Sequence, residues 1–109
     1  MKFSINNKVF THIASSSNSF STNDISFIFN GFDALCMGFI VPRTMGSASI
    51  RNKFKRRCRF ALETISQNTG FPSVGIVVKP KSINLGFKEI KNSFNKLEWE
   101  ILTKYGDTL

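Results

Sequence analysis

The sequence lacks any apolar stretch long enough to cross a membrane. No run approaches the roughly 18–20 apolar residues that a spanning helix needs, and the first eight residues lack the continuous apolar region of a signal peptide. Cysteine is also scarce, because Cys36 and Cys58 are the only two and do not form a Cys-x-x-Cys pair. We therefore expect a cytoplasmic protein without a membrane segment, in which both cysteines are reduced core residues.

Residue types that commonly carry out catalysis are few and dispersed. His12 is the only histidine, and it lacks the second histidine, paired cysteine or neighbouring carboxylates of a familiar zinc site. The closest carboxylates, Glu98 and Glu100, lie two residues apart in a helical pattern and point to different sides. The seven glycines show no Walker or Rossmann spacing. The sequence thus predicts no catalytic residue, no metal site and no nucleotide cofactor in this chain.

Acidic residues are absent from the middle of the chain. There is none between Asp33 and Glu63, although seven of the fifteen lysines and arginines fall in that window and the net charge is +8. A concentrated field of one sign attracts polyanions. Nucleic acid and an anionic membrane are therefore the two partners to compare.

The composition is otherwise that of a folded domain with both helices and strands. The 109 residues include 12 phenylalanines and are 41% hydrophobic, so we predict one domain over residues 1–109. Helices are expected over residues 7–13, from Ser47 or Ser49 to residue 68, and from residue 84 to near Gly106. Strands are expected over residues 25–30, 35–41 and 74–78, and residues 15–19 are expected to be a polar loop. Asn30-Gly31 is a strong hairpin signal, so the first two strands are expected to pair directly.

The central predicted helix has one apolar face and one strongly basic face. At about 100° of rotation per residue, its apolar residues form a stripe that should face the core: Ile50, Phe54, Cys58, Ala61, Leu62 and Ile65. Six basic residues between positions 51 and 59 cover most of the remaining surface. Like charges at this spacing destabilise an isolated helix, and an ordinary solvated face would include glutamate. The pattern therefore favours a partner that supplies negative charge.

A nucleic acid fits these charges better than a membrane does. The planar arginine fork matches phosphate oxygens, and each neutralised phosphate releases counterion. A membrane-binding helix needs an exposed apolar face beside its basic one, whereas the apolar stripe here is needed to close a small core. Asn52 adds an amide that can hydrogen-bond a 2′-hydroxyl, a phosphate or a base edge.

The basic segment also carries a recognisable motif. Arg51-Asn-Lys-Phe-Lys-Arg-Arg-Cys-Arg59, preceded by Gly38-Phe-Ile-Val-Pro-Arg-Thr-Met-Gly46, resembles the signature Arg-Asn-Arg-x-Lys-Arg-x-x-Arg of the bacterial ribonuclease P protein subunit. The resemblance extends from about residue 25 to residue 102. Lys53 stands where the family usually has a second arginine, Arg43-Thr44 where it often has paired lysines, and Phe60 where an acid commonly follows the last arginine.

The resemblance implies both a fold and a function. The implied fold is α+β, a two-layer α/β sandwich in the order helix, strands, helix, strand, helix, with a left-handed βαβ crossover through the basic helix. The implied function is that of the protein subunit of the ribonuclease P ribonucleoprotein, in which the catalytic RNA removes the 5′ leader of precursor tRNA. Magnesium is then expected mainly on the RNA subunit and substrate, and no side chain of this chain is catalytic. The partners implied are the catalytic RNA and precursor tRNA, with no membrane and no protein partner required.

The resemblance assigns two groups of binding residues. The residues expected to contact RNA, either the catalytic RNA or the leader, are Arg43, Arg51, Asn52, Lys53, Lys55, Arg56 and Arg59. A cleft between the sheet and neighbouring helices is expected to bind the single-stranded leader, and the residues that could present apolar or aromatic surface there are Phe10, Ile13, Phe27, Phe29, Met37 and Phe39. Each of these six has a competing assignment to the core.

Two alternative functions stay open at this stage. One is a stand-alone RNA- or DNA-binding module, for example a ribosomal one, because a fold does not fix a function. Such a module would bind the catalytic RNA of ribonuclease P no more tightly than it binds bulk RNA at equal salt. The other is a small enzyme in its own right, which would cleave precursor tRNA alone and would need a dense polar cluster that the sequence does not show.

Overall fold

The computed structural model describes residues 3–16, 18–67 and 70–105. In chain order the elements are α1 (Asn7–Ala14), β1 (Ser19–Ser21), β2 (Ile25–Gly31), β3 (Cys36–Phe39), a short 3-10 turn (Arg43–Met45), α2 (Ala48–Ser66), β4 (Val74–Pro80) and α3 (Phe87–Tyr105). This is the predicted α+β order of helix, strands, helix, strand, helix. Strand β1 was not predicted, and it begins at the last residue of the expected polar loop.

The expected hairpin between β2 and β3 is wrong. The sheet order is β1-β2-β4-β3, so β4 lies between the two strands, antiparallel to β2 and parallel to β3. Strand β2 stays paired with β4 as far as Gly31. Among the described residues only Phe3 and Gly70 have φ in the left-handed region, so neither Asn30 nor Gly31 has it. A two-residue hairpin turn needs that conformation at Asn30-Gly31, and the chain does not adopt it.

The central position of β4 follows from its composition. Six of its seven residues are buried, as expected of an apolar, β-branched strand that is covered on both faces. Its connection to β3 through α2 joins neighbouring parallel strands. The left hand of this crossover, which the resemblance implies, stays a prediction.

Helices α2 and α3 cover one face of the sheet. The register places Phe27 opposite Val78 and Phe29 opposite Ile76, so these side chains share a face. They pack with the inner residues of the two helices in one cluster, in which the Phe27 and Phe94 rings meet edge to face with centroids 5.2 Å apart. This cluster is the main core.

The short helix α1 packs on the opposite face, where two glycines make room for it. A Cβ at Gly75 would lie 2.6 Å from Cδ1 of Ile13, and one at Gly38 would lie 2.6 Å from Cδ2 of Phe10. Both distances are far below van der Waals contact. The glycines therefore allow α1 to approach the sheet backbone directly.

We expect Gly75→Ala to destabilise the protein by about 1–3 kcal/mol, because the added methyl overlaps the fully buried Ile13 side chain. Gly31→Ala is the matched control, since its new Cβ would meet nothing closer than 3.6 Å. Urea unfolding measures both variants. Equal stability of the two would contradict the close packing of α1.

Helix α2 has the predicted faces with one exception. Ser47 caps its first turn, where its hydroxyl accepts a hydrogen bond from the Ile50 amide, and Gly70 beyond its end has φ +84°. The stripe from Phe54 to Ile65 is buried as expected. Ile50 is the correction: it is 41% exposed, because it lies in the first turn, before the helix is covered by its neighbours. The predicted end at residue 68 lies outside the described residues.

Both cysteines are buried and free of disulfide bonds. Burial raises the pKa of the Cys36 and Cys58 thiols above the ordinary value. Both thiols therefore stay protonated near neutral pH, where a thiol is a weak nucleophile.

In the described part of the chain, no helix is long and apolar enough to span a bilayer.

Candidate nucleic-acid interface

The cations of α2 point in three directions around the helix. With about 100° between successive residues, Lys55 and Arg59 share the side next to β3, whereas Arg57 lies on the side next to the segment before α3. Asn52 and Arg56 lie between these sides and point outward, where both are exposed. The basic helix is thus divided into a β3 side, an outward face and an α3 side.

On the β3 side, two cations lie over one aromatic ring. Nζ of Lys55 is 6.0 Å from the centroid of the Phe39 ring, and Cζ of Arg59 is 5.5 Å from it, both within cation–π range. The same ring meets Phe54 edge to face at 6.3 Å. Phe39 therefore links the core to the basic surface and holds two positive charges at the edge of the sheet.

A cleft of about 390 Å³ opens beside this ring. Phe10 and the chain segment before α1 form one wall, β3 forms the floor, and Lys55 and Arg59 form the other wall. The amide of Met37 donates a 2.9 Å hydrogen bond to the Phe3 carbonyl, which ties the amino-terminal segment to the edge strand. Residues 3–5 were not among the predicted site residues, and no motif in the sequence marks them.

Only two of the six predicted cleft residues present substantial surface to this cleft. They are Phe10 and Phe39, both partly exposed. Met37 also lines the cleft, but it is only 4% exposed. Ile13, Phe27 and Phe29 are buried. The Ile13 side chain lies between α1 and the sheet, and the Phe27 and Phe29 side chains lie in the main core. The structure therefore places these three in their competing core positions, so they do not present a surface for nucleotides.

Two arginines of α2 also hold neighbouring backbone. Nε of Arg51 donates a 3.1 Å hydrogen bond to the Gly46 carbonyl, and an Nη of Arg57 donates one of 3.1 Å to the Leu85 carbonyl. Arg51 thus fixes the turn before α2 and keeps only part of its guanidinium for a ligand. Arg43 lies exposed in that turn. The predicted cations that are exposed on α2 itself are Lys53 and Arg56.

Comparison with known families gives a decisive match. The family model described as Ribonuclease P matches residues 5–102 of the chain. The chain belongs to the ribonuclease P protein family. Its role is that of the protein subunit of ribonuclease P, which functions in the 5′ maturation of tRNA. Nothing in these comparisons favours the alternative of a stand-alone RNA-binding module.

Solved ribonuclease P proteins share the fold. The protein from Staphylococcus aureus superimposes with a TM-score of 0.75 at 20% identity, and the alignment covers 98% of this chain and 100% of that one. The protein from Thermotoga maritima gives a TM-score of 0.71 at 24% identity, covering 89% and 96% of the two chains. Comparison with curated protein sequences gives no match. The family assignment therefore comes from the family model, and the likeness of the structures shows the shared fold.

Proposed function

We propose that this ribonuclease P protein uses two sides of α2 for two RNAs. The outward face, with Asn52 and Arg56, and the neighbouring Lys53 on the α3 side bind the catalytic RNA. The cleft beside Phe39 binds the single-stranded leader of precursor tRNA. The observation that carries this proposal is the placement of Lys55 and Arg59 over an aromatic ring inside a cleft, away from the outward cations of the same helix.

The chemistry of the cleft suits a single strand. Proteins that bind single-stranded nucleic acid combine cations along the phosphate backbone with aromatic rings that stack on bases. Phe10 supplies aromatic surface on one wall and Phe39 supplies it at the floor, while Lys55 and Arg59 supply charge. The outward face presents the exposed side chains of Asn52 and Arg56, which suit the phosphates of a folded RNA.

Catalysis is assigned in this proposal to the RNA subunit, in the cytoplasm where precursor tRNA is made. Among the described residues, no three histidine, cysteine or carboxylate side chains lie close enough to hold a metal ion. In this proposal magnesium is held mainly by the RNA subunit and the substrate, whose phosphates are ligands that magnesium prefers. The protein contributes binding and orientation of the two RNAs.

Cleavage of precursor tRNA at low magnesium tests the proposal directly. We expect a bacterial ribonuclease P RNA to cleave efficiently when the protein is added, and the protein alone to be inactive. Cleavage by the protein alone would contradict catalysis by RNA. No stimulation of the RNA from the same organism would contradict the subunit role.

The outward face is tested by Arg56→Ala. We expect weaker binding to the catalytic RNA. The slope of log K against log salt concentration should fall in magnitude by about one, because one phosphate contact is lost. Thermal stability should stay unchanged, since Arg56 is exposed. Filter binding over a range of salt concentrations measures both quantities.

Lys104→Ala is the matched control for Arg56→Ala. It removes the same charge from the last turn of α3, about 25 Å along that helix from Phe87. We expect its RNA affinity to equal that of the unmodified protein. If both variants lost the same affinity, net charge alone would explain binding, and the outward face of α2 would have no special role.

A further inference from the structure

An aromatic pair, formed by the exposed Phe60 and the half-buried Phe87, lies outside the cleft, between α2 and α3. Phe60 is 56% exposed, and its ring centroid is 5.5 Å from that of Phe87 at an interplanar angle of 51°. Beside the pair is an apolar groove of about 250 Å³, bordered by Thr64, Lys91 and Asn95. A phenylalanine this exposed adds little to the core, so its ring is available to a ligand.

The surroundings of the groove are mostly basic. Arg56 and Arg57 lie one turn before Phe60 on α2, and Lys88 and Lys91 lie on the first turns of α3. Two carboxylates lie nearby: at about 100° per residue, Glu63 lies on the outward face close to the direction of Arg56, and Glu98 shares the side of α3 that carries Lys91 and Asn95. The four cations outnumber these two carboxylates. An aromatic surface bordered by cations is complementary to a nucleotide, which has a flat apolar base and a charged phosphate.

A second copy of the chain fits the groove less well. Docking two copies through it would bring two basic α2 helices together, and like charges at an interface oppose association. The groove is also continuous with the outward face of α2, because Arg56 and Phe60 are one helical turn apart. An RNA lying on that face therefore passes directly beside the groove.

We propose that the Phe60–Phe87 groove holds an unpaired base of the catalytic RNA. The ring of Phe60 stacks on the base, and Lys91 contacts the adjoining phosphate. The inference rests on the proposed function, since it assumes that the catalytic RNA binds the outward face of α2. It assigns a role to Phe60, which the signature of basic residues does not include.

The test separates stacking from charge by measuring affinity as a function of salt. We expect Phe60→Ala to bind a bacterial ribonuclease P RNA transcript about tenfold more weakly, at every salt concentration and with the slope of log K against log salt unchanged, because no phosphate contact is lost. Phe60→Tyr keeps the ring and should retain the affinity of the unmodified protein. Trp99→Ala, which removes an aromatic residue that is 72% exposed elsewhere on α3, should have no effect.

The possible outcomes distinguish this inference from the proposed function. If the unmodified protein bound the transcript no better than an unrelated RNA, the proposed function would fail first. If that binding were specific but Phe60→Ala bound equally well, the groove would hold no base. A changed salt slope for Phe60→Ala, or a change in its sedimentation that showed self-association through the groove, would also overturn the inference. Thermal melting of each variant confirms that its fold is intact.

Discussion

Phe54→Ala is expected to lower the free energy of unfolding by about 3–5 kcal/mol. Phe54 is only 2% exposed and belongs to the main core, where it packs against Phe39 and the inner face of the sheet. Truncation removes the ring and leaves a cavity that the packed helices can fill only in part. A loss of this size is a large share of the stability of a domain of this length.

Phe60→Ala is the matched control for Phe54→Ala, since it is the same substitution on the same helix. Its ring is mostly exposed, so we expect a loss within about 1 kcal/mol. Urea unfolding followed by circular dichroism gives both values. If Phe54→Ala unfolded at the same urea concentration as the unmodified protein, the apolar stripe of α2 would not face the core.

The double variant Lys55→Ala/Arg59→Ala is expected to weaken the binding of precursor tRNA by the assembled ribonucleoprotein about 100-fold. Hydrogen bonds to charged groups are worth about 1.5–3 kcal/mol each, and the lower end of that range for two contacts gives this factor. The loss should depend on the leader, because both cations line the cleft beside Phe39. Binding of mature tRNA, which has no leader, should be unchanged.

The matched control for this pair is Lys53→Ala/Arg56→Ala. It removes two charges from the same helix, but from residues that do not line the cleft. We expect the opposite pattern: weaker assembly with the catalytic RNA, and an unchanged preference for precursor over mature tRNA once assembly is complete. Fluorescence titration with leader-labelled precursor measures the preference. If the two double variants behaved alike, the division of α2 into two binding sides would be wrong.

The helices could be predicted from the sequence because their periodicity is local. The spacing from Phe54 to Ile65 fixed which side of α2 is buried, and the structure confirms it. The pairing of strands depends instead on residues far apart in the chain. Asn30-Gly31 is a local hairpin signal, but β4 offers β2 a seven-residue apolar partner, and this long-range pairing prevails over the turn preference.

The candidate site was predictable in its charges and not in its shape. The run of lysines and arginines marked α2 as the basic helix, and its period separated the core residues from the exposed ones. Alternation along β2 identified Phe27 and Phe29 as sharing a face, but it cannot tell which face the helices cover. The cleft also depends on a backbone hydrogen bond between Met37 and Phe3, and no side-chain pattern encodes such a contact.

The central place of β4 also governs when the protein can fold during synthesis. Strands β2 and β3 have no hydrogen bonds to each other, and both pair with a strand that begins at Val74. A nascent chain that ends before this strand can form the β1–β2 hairpin but cannot assemble the sheet. Because the ribosome also covers the last residues made, most of the 109-residue chain must be synthesised before the sheet can close. The basic helix α2 is therefore exposed to the nucleic acids of the cell before the core that orients it exists.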